Sequence, residues 1–241
     1  MISPEFHQLT LMKLSCSPAT HLIKSVTMGR FAVLLLLFIS QLFSSEHKPL
    51  RTYTLSLPQH AKPLIILDPG HGGSDEGAKI HFFMEKSLTL MTSLLLRKHL
   101  NELGYRVIMT RSKDVFIPLY RRVSIANKTK AALFVSVHFN SAPAPDAHGI
   151  EVFYYNGNQP RARQSRALSQ LILKELIAQT HALSRGVKAG NFHVIRDTSM
   201  PAVLVEGGFM TNKEERSNLR DKEYIDKIAK GIALGIDRYL K

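Results

Sequence analysis

The chain has 241 residues, 44% of them hydrophobic, enough for one domain with a real core plus a leader. Its 32 Lys and Arg against 19 Asp and Glu give a net charge of +13, which suits an anionic polymer without choosing among nucleic acid, membrane surface and wall material. The single cysteine, Cys16, excludes an intrachain disulfide and a cysteine-rich zinc site.

Residues 31–43, FAVLLLLFISQLF, form an apolar run too short to span a bilayer comfortably but suited to a signal-peptide core. Arg30 precedes the run, and the small residues Ser44 and Ser45 follow it. The competing readings are an uncleaved anchor touching the membrane through 31–43 and a buried core segment. Met28 opens a compact signal by itself, so it is an alternative start. Lys13, Lys24, Arg30 and Glu5 are the charged residues of 1–45, so the rest of the chain stays strongly basic. The expected organisation is a signal peptide or anchor at 1–45, a linker at 46–62 and one catalytic domain at 63–241.

The domain reads as alternating strands and helices. Residues 64–67 form a buried strand running into Asp-Pro-Gly. Apolar residues at helical spacing predict a helix over 87–103, with Gly104 as its C-cap. A strand follows at 105–110, a helix at 118–128 and a strand at 133–138. Then come a strand at 150–155, a long helix at 161–180, two strands at 192–195 and 202–206, and a closing helix at 222–240. The pattern predicts an α/β fold, a mostly parallel central sheet of about six strands with helices on both faces.

Polar residues gather where these strands end, the usual place for a site in an open α/β sheet. His71 follows the first strand in DPGHGG, His138 ends the third, Glu206 ends the sixth, and Glu85 stands just before the first helix. Two imidazoles and a carboxylate are what catalytic zinc takes as ligands, leaving a fourth position for water. A further carboxylate then handles the proton. Each residue also has a plain reading. A histidine at a strand end is more often a hydrogen-bonded loop residue, and Glu85 fits a solvated carboxylate favoured by the helix dipole. Glu206 is harder to explain that way, because it follows Ala-Val-Leu-Val in a strand read as central, where an unpaired carboxylate is costly. His193 alternates with Phe192 and Val194 and is expected to face the same region.

Together these segments resemble the zinc-dependent N-acetylmuramoyl-L-alanine amidases over about residues 63–241. The matching stretches are LIILDPGHGGSDEGA, MEKSLTL, LFVSVHFNS and PAVLVEGGFMTN, with VIMTRSKD and LYRRVSIAN in support through Arg111, Arg122 and Asn127. The resemblance implies one Zn²⁺ per chain on His71, Glu85 and His138, Glu206 as general base and acid, and a weaker substrate-binding role for Asn140. It implies hydrolysis of the amide between N-acetylmuramic acid and L-alanine, with peptidoglycan or muropeptides as the partner. The protein is then expected to be an exported monomer of the periplasm or envelope that does not bind nucleic acid, since no basic run is interleaved with aromatics.

Two features depart from the family pattern. Gly207 stands where a larger residue is common, which predicts a looser pocket wall. Only NGNQPRA separates Tyr155 from the long helix, so the inserted helix that blocks the zinc in envelope-division members is expected to be missing. The alternatives are a zinc peptidase cutting within the stem peptide and a non-catalytic wall-binding protein on the same fold.

Overall fold

The computed structural model describes residues 62–157 and 160–241. The leader, its apolar run at 31–43 and the linker up to residue 61 lie outside the described residues. Strand β1 (Leu64–Pro69) runs toward the site, and a small antiparallel hairpin, β2 (Lys79–Ile80) with β3 (Phe83–Met84), leads straight into helix α1 (Glu85–Glu102). There follow β4 (Arg106–Met109), α2 (Leu119–Asn127), β5 (Leu133–Asn140), β6 (Ile150–Tyr154), α3 (Pro160–Thr180), β7 (Ser184–Ala189), α4 (His193–Arg196), β8 (Ala202–Phe209), α5 (Lys213–Asn218) and α6 (Lys222–Leu240).

The main sheet has six strands in the order β4-β1-β5-β8-β6-β7. Strands β4, β1, β5 and β8 are parallel, β6 is antiparallel to β8, and β7 is parallel to β6. Alternation along each strand sends side chains to two separate layers. Ile65, Leu67, Val135, Val137, Val203 and Val205 meet α1, α3 and α6 on one face. Ile66, Phe134 and Leu204 meet Ala126 of α2 and Val194 and Ile195 of α4 on the other. Strands buried on both sides read as continuous apolar runs rather than alternating ones, as LIIL does.

Helices α3 and α6 pack closely because Gly235 lies against the Ile172 backbone, where any Cβ would collide with the Ile172 Cα. Helix α6 is started by Asp221, whose carboxylate accepts from the Glu223 amide.

Two expectations need correction. Residues 192–195 are not a strand: Phe192 caps the short helix α4, which lays Val194 and Ile195 onto the second core layer. The strand that takes its place in the sheet is Ser184–Ala189, a polar segment at the sheet edge with Gly186 at φ 88°. An edge strand with one neighbour needs few apolar residues, so it left no periodic signal. The looser wall expected at Gly207 is also overturned, since a Cβ there would meet the Phe139 ring at 2.7 Å. Phe139 already fills that space.

Candidate metal centre

The loop after β1 is built by two buried arginines. Arg122 donates to Asp68 Oδ1 (2.8 Å), Pro69 O (2.6 Å) and His71 O (2.7 Å). Arg111 donates to Pro69 O (3.0 Å), Gly70 O (2.7 Å) and Lys86 O (2.8 Å), tying the loop to the first turn of α1. Asp68, buried at the end of β1, also accepts from Thr110 Oγ1 (2.6 Å) and Ser136 Oγ (2.9 Å). These bonds hold His71 at φ 58°, a left-handed backbone that histidine adopts at a cost of roughly 1–2 kcal/mol.

From that position His71 Nε2 lies 3.1 Å from Glu85 Oε1, while its Nδ1 lies 2.9 Å from Asp75 Oδ1. The β2–β3 hairpin sets Glu85 as the first residue of α1, with Met84 as a cap that makes no side-chain bond. Glu85 Oε2 accepts from the Ala78 amide (2.9 Å), and Oε1 accepts from the Phe139 amide (3.2 Å). His138 arrives from β5, with Nδ1 3.1 Å from the same Glu85 Oε1. The two imidazoles stand edge-on, with centroids 5.0 Å apart. One donor atom from each of His71, Glu85 and His138 lies within 4.8 Å of the others.

Burial pushes the Glu85 carboxyl up, but hydrogen bonds and charge from His138 and His71 outweigh it and hold the pKa well below the usual range. Burial lowers His71, and the bonds to Glu85 and Asp75 reverse this, leaving its pKa raised. Two imidazoles and one carboxylate, with a donor atom of each converging within 4.8 Å, fit a divalent cation that favours nitrogen and oxygen.

Glu206 on β8 sits beside His138 in the β5–β8 ladder and opposite Glu151 in the β6–β8 ladder. Its Oε2 is buried and has no hydrogen-bond partner among the described residues. Burial, and then the charges of Glu85 and Glu151, push its pKa well above the ordinary value. A cavity of about 250 Å³ opens between His71, His138, Arg122, Phe116, Ile117 and Leu119.

The structure thus brings together His71, Glu85, His138 and Glu206 from four separate segments. Asn140 lies nearby, but its amide is engaged within the protein, donating to Glu151 Oε1 at 2.7 Å and accepting from the Ser141 amide at 3.0 Å. His193 does not join the group. It stands on α4, with Nδ1 3.2 Å from Arg196 Nη2 and 3.4 Å from Asp197 Oδ2. Asn127 braces the far side, bonding Asp197 O and the Ser199 amide. Sequence reasoning missed Asp75, which orients His71, and Glu151, which faces Glu206. Both left a signal: Asp75 follows His71 by four residues, and Glu151 is a lone carboxylate in an apolar strand, the feature that singled out Glu206.

The profile of the N-acetylmuramoyl-L-alanine amidase family matches residues 65–238. The N-acetylmuramoyl-L-alanine amidase CwlM of Bacillus licheniformis is 38% identical over 176 residues, 72% of this chain and 67% of that protein. YqiI of Bacillus subtilis is 37% identical over 185 residues, 75% of this chain and 88% of its own length. Among solved structures, the catalytic domain of the amidase CwlV from Bacillus (Paenibacillus) polymyxa superposes with a TM-score of 0.70 at 36% identity, covering 75% of this chain and all (100%) of that one. Fold and site therefore define a hydrolase of peptidoglycan amide bonds. The chain belongs to the N-acetylmuramoyl-L-alanine amidase family.

Proposed function

We propose that this amidase is zinc-dependent, with one Zn²⁺ held by His71, Glu85 and His138, and that Glu206 moves the proton in cutting the bond between N-acetylmuramic acid and L-alanine. The observation that carries the reading is the partnerless, buried Oε2 of Glu206 beside three converging donors. A carboxylate in that position needs a function, because burying it unpaired is costly. When bound, zinc supplies a Lewis acid for the scissile carbonyl and lowers the pKa of water. Glu206 Oε2 takes a proton from the attacking water and returns it to the alanine nitrogen, which is a poor leaving group unprotonated. Asp75 fixes the His71 tautomer through Nδ1 and leaves Nε2 free to ligate. Arg111 and Arg122 keep the His71 loop in its strained turn. Asn140, at the end of β5 and bonded to Glu151, is assigned a weaker role in binding the peptide.

The catalytic domain at 63–241 is read as the exported part of the chain, working as a monomer in the periplasm or envelope, since its substrate lies outside the membrane. The leader at 1–45 supports this through its short apolar run. The test is metal analysis of the purified protein, paired with mass analysis of digested muropeptides with and without chelator. We expect about one zinc per chain, released L-alanyl peptides, and loss of both on chelation. Full activity in a metal-free protein would overturn the reading.

A further inference from the structure

The proposed chemistry leaves Glu151 unused. It is a buried carboxylate, 4% exposed, directly opposite Glu206 in the β6–β8 ladder. It accepts from Arg185 Nε (3.0 Å) and from Lys188 Nζ, both on the edge strand β7. Two cations therefore share one carboxylate. Their side chains are 33% and 40% exposed, so both also reach solvent. Arg185 Nη1 donates to His148 O (3.2 Å), while Nη2 donates to no group among the described residues. The guanidinium is steadied over the Phe209 ring, 4.8 Å from its centroid. The flank beyond β1 is different in kind: Phe116 and Leu119, both exposed and apolar, border the cavity at His71.

We propose that Arg185 and Lys188 form the subsite for a carboxylate on the peptide leaving group, the one carried by the residue after L-alanine. This rests on the amidase reading above. Glu206 delivers its proton to the alanine nitrogen, so the peptide leaves from the β8 side. Strand β7 lies two strand spacings from β8, roughly 10 Å. Both long side chains reach onto β6, to Glu151, one strand spacing of roughly 5 Å from β8 and within the reach of one extended dipeptide, roughly 7 Å. The spare positive charge and the free Nη2 donors meet a carboxylate there, and a neutral amide in its place loses the charge-assisted bonds.

Two muramoyl dipeptides that differ only in a free carboxylate or a carboxamide on the second residue provide the test. The wild-type protein is expected to favour the carboxylate form about tenfold in kcat/KM, mainly through KM, the partial exposure of both cations limiting the effect. In Lys188→Gln the ratio collapses toward one. Arg185→Gln is a second variant read in the same way, with thermal melting to verify that each is folded. A readout independent of turnover is an NMR titration of the released dipeptides onto chelator-stripped protein, where the carboxylate form binds more tightly in wild type and not in Lys188→Gln. Cleavage of both substrates at a ratio near one, or an unchanged ratio in the folded variants, overturns the subsite and leaves the amidase reading standing. Cleavage of neither overturns the amidase reading and the subsite with it.

Discussion

At Asp75 and Glu206 single side chains decide what the site can do. Asp75 orients His71 from outside the donor triad, a type of contact whose loss typically weakens metal binding about 10–100-fold. Asp75→Ala is expected to show that drop in chelator competition, and an unchanged affinity would remove Asp75 from the site. His138→Ala removes a donor outright and is expected to abolish zinc content and activity together; stoichiometric zinc in that variant would refute the ligand assignment. Glu206→Gln keeps the shape and loses the base. Turnover is expected to fall by about 10²–10⁴-fold with zinc content intact. Near-normal turnover with normal zinc would show that another group carries the proton. At this scale His71 and Glu206 stand out in the sequence, because a histidine among glycines and a carboxylate ending an apolar strand have few structural excuses, whereas His138 and Glu85 are picked out by the family resemblance. Glu151 carried the same signal, but its partners Arg185 and Lys188 lie in a strand with no apolar pattern.

Among the elements, helix α6 was readable to both ends, since Asp221 caps its start and its apolar stripe is regular. The region 184–196 was not. A short apolar run such as FHVI has no periodicity that separates one helical turn from a strand. What decides it is that the β6 edge is already occupied by β7, which only the tertiary fold reveals. The contact between α3 and α6 gives a prediction at the same scale. Gly235→Val forces a branched side chain into the Ile172 backbone and is expected to cost about 1–3 kcal/mol. Urea denaturation should show a lower midpoint at an unchanged slope. A midpoint equal to wild type would mean the helices can separate freely.

Across the whole molecule, the proposed ligands come from a loop, a helix start and a strand, so the donor set exists only when the sheet is assembled. Any metal bound there stabilises the folded state by mass action, about 2.7 kcal/mol at a hundredfold excess over its Kd. Chelation is therefore expected to lower the melting temperature, and zinc titration to restore it; a melting curve indifferent to both would argue against a site at His71, Glu85 and His138. Only five residues of sequence, 155–159, separate β6 from α3, too few for an inserted helix at that point. Purified zinc-loaded protein is expected to digest peptidoglycan without an activator, and inertness until a partner is added would overturn that expectation.

The buried Oε2 of Glu206 has a consequence for evolution and engineering: without metal, the wild-type protein should be less stable than its Glu206→Gln twin. A carboxyl whose folded pKa is raised adds stability fully only below its unfolded value, about 4.3. It loses that stability as pH climbs through the folded pKa. In chelated protein, Glu206→Gln should thus melt above wild type at neutral pH, and the gap should widen as pH rises from about 4.3. An equal gap at all pH values would show that the carboxyl finds a partner in solution. If the gap widens, random mutagenesis selected only for heat resistance will tend to discard this glutamate, and a thermostable variant of the enzyme will have to find its stability elsewhere in the fold.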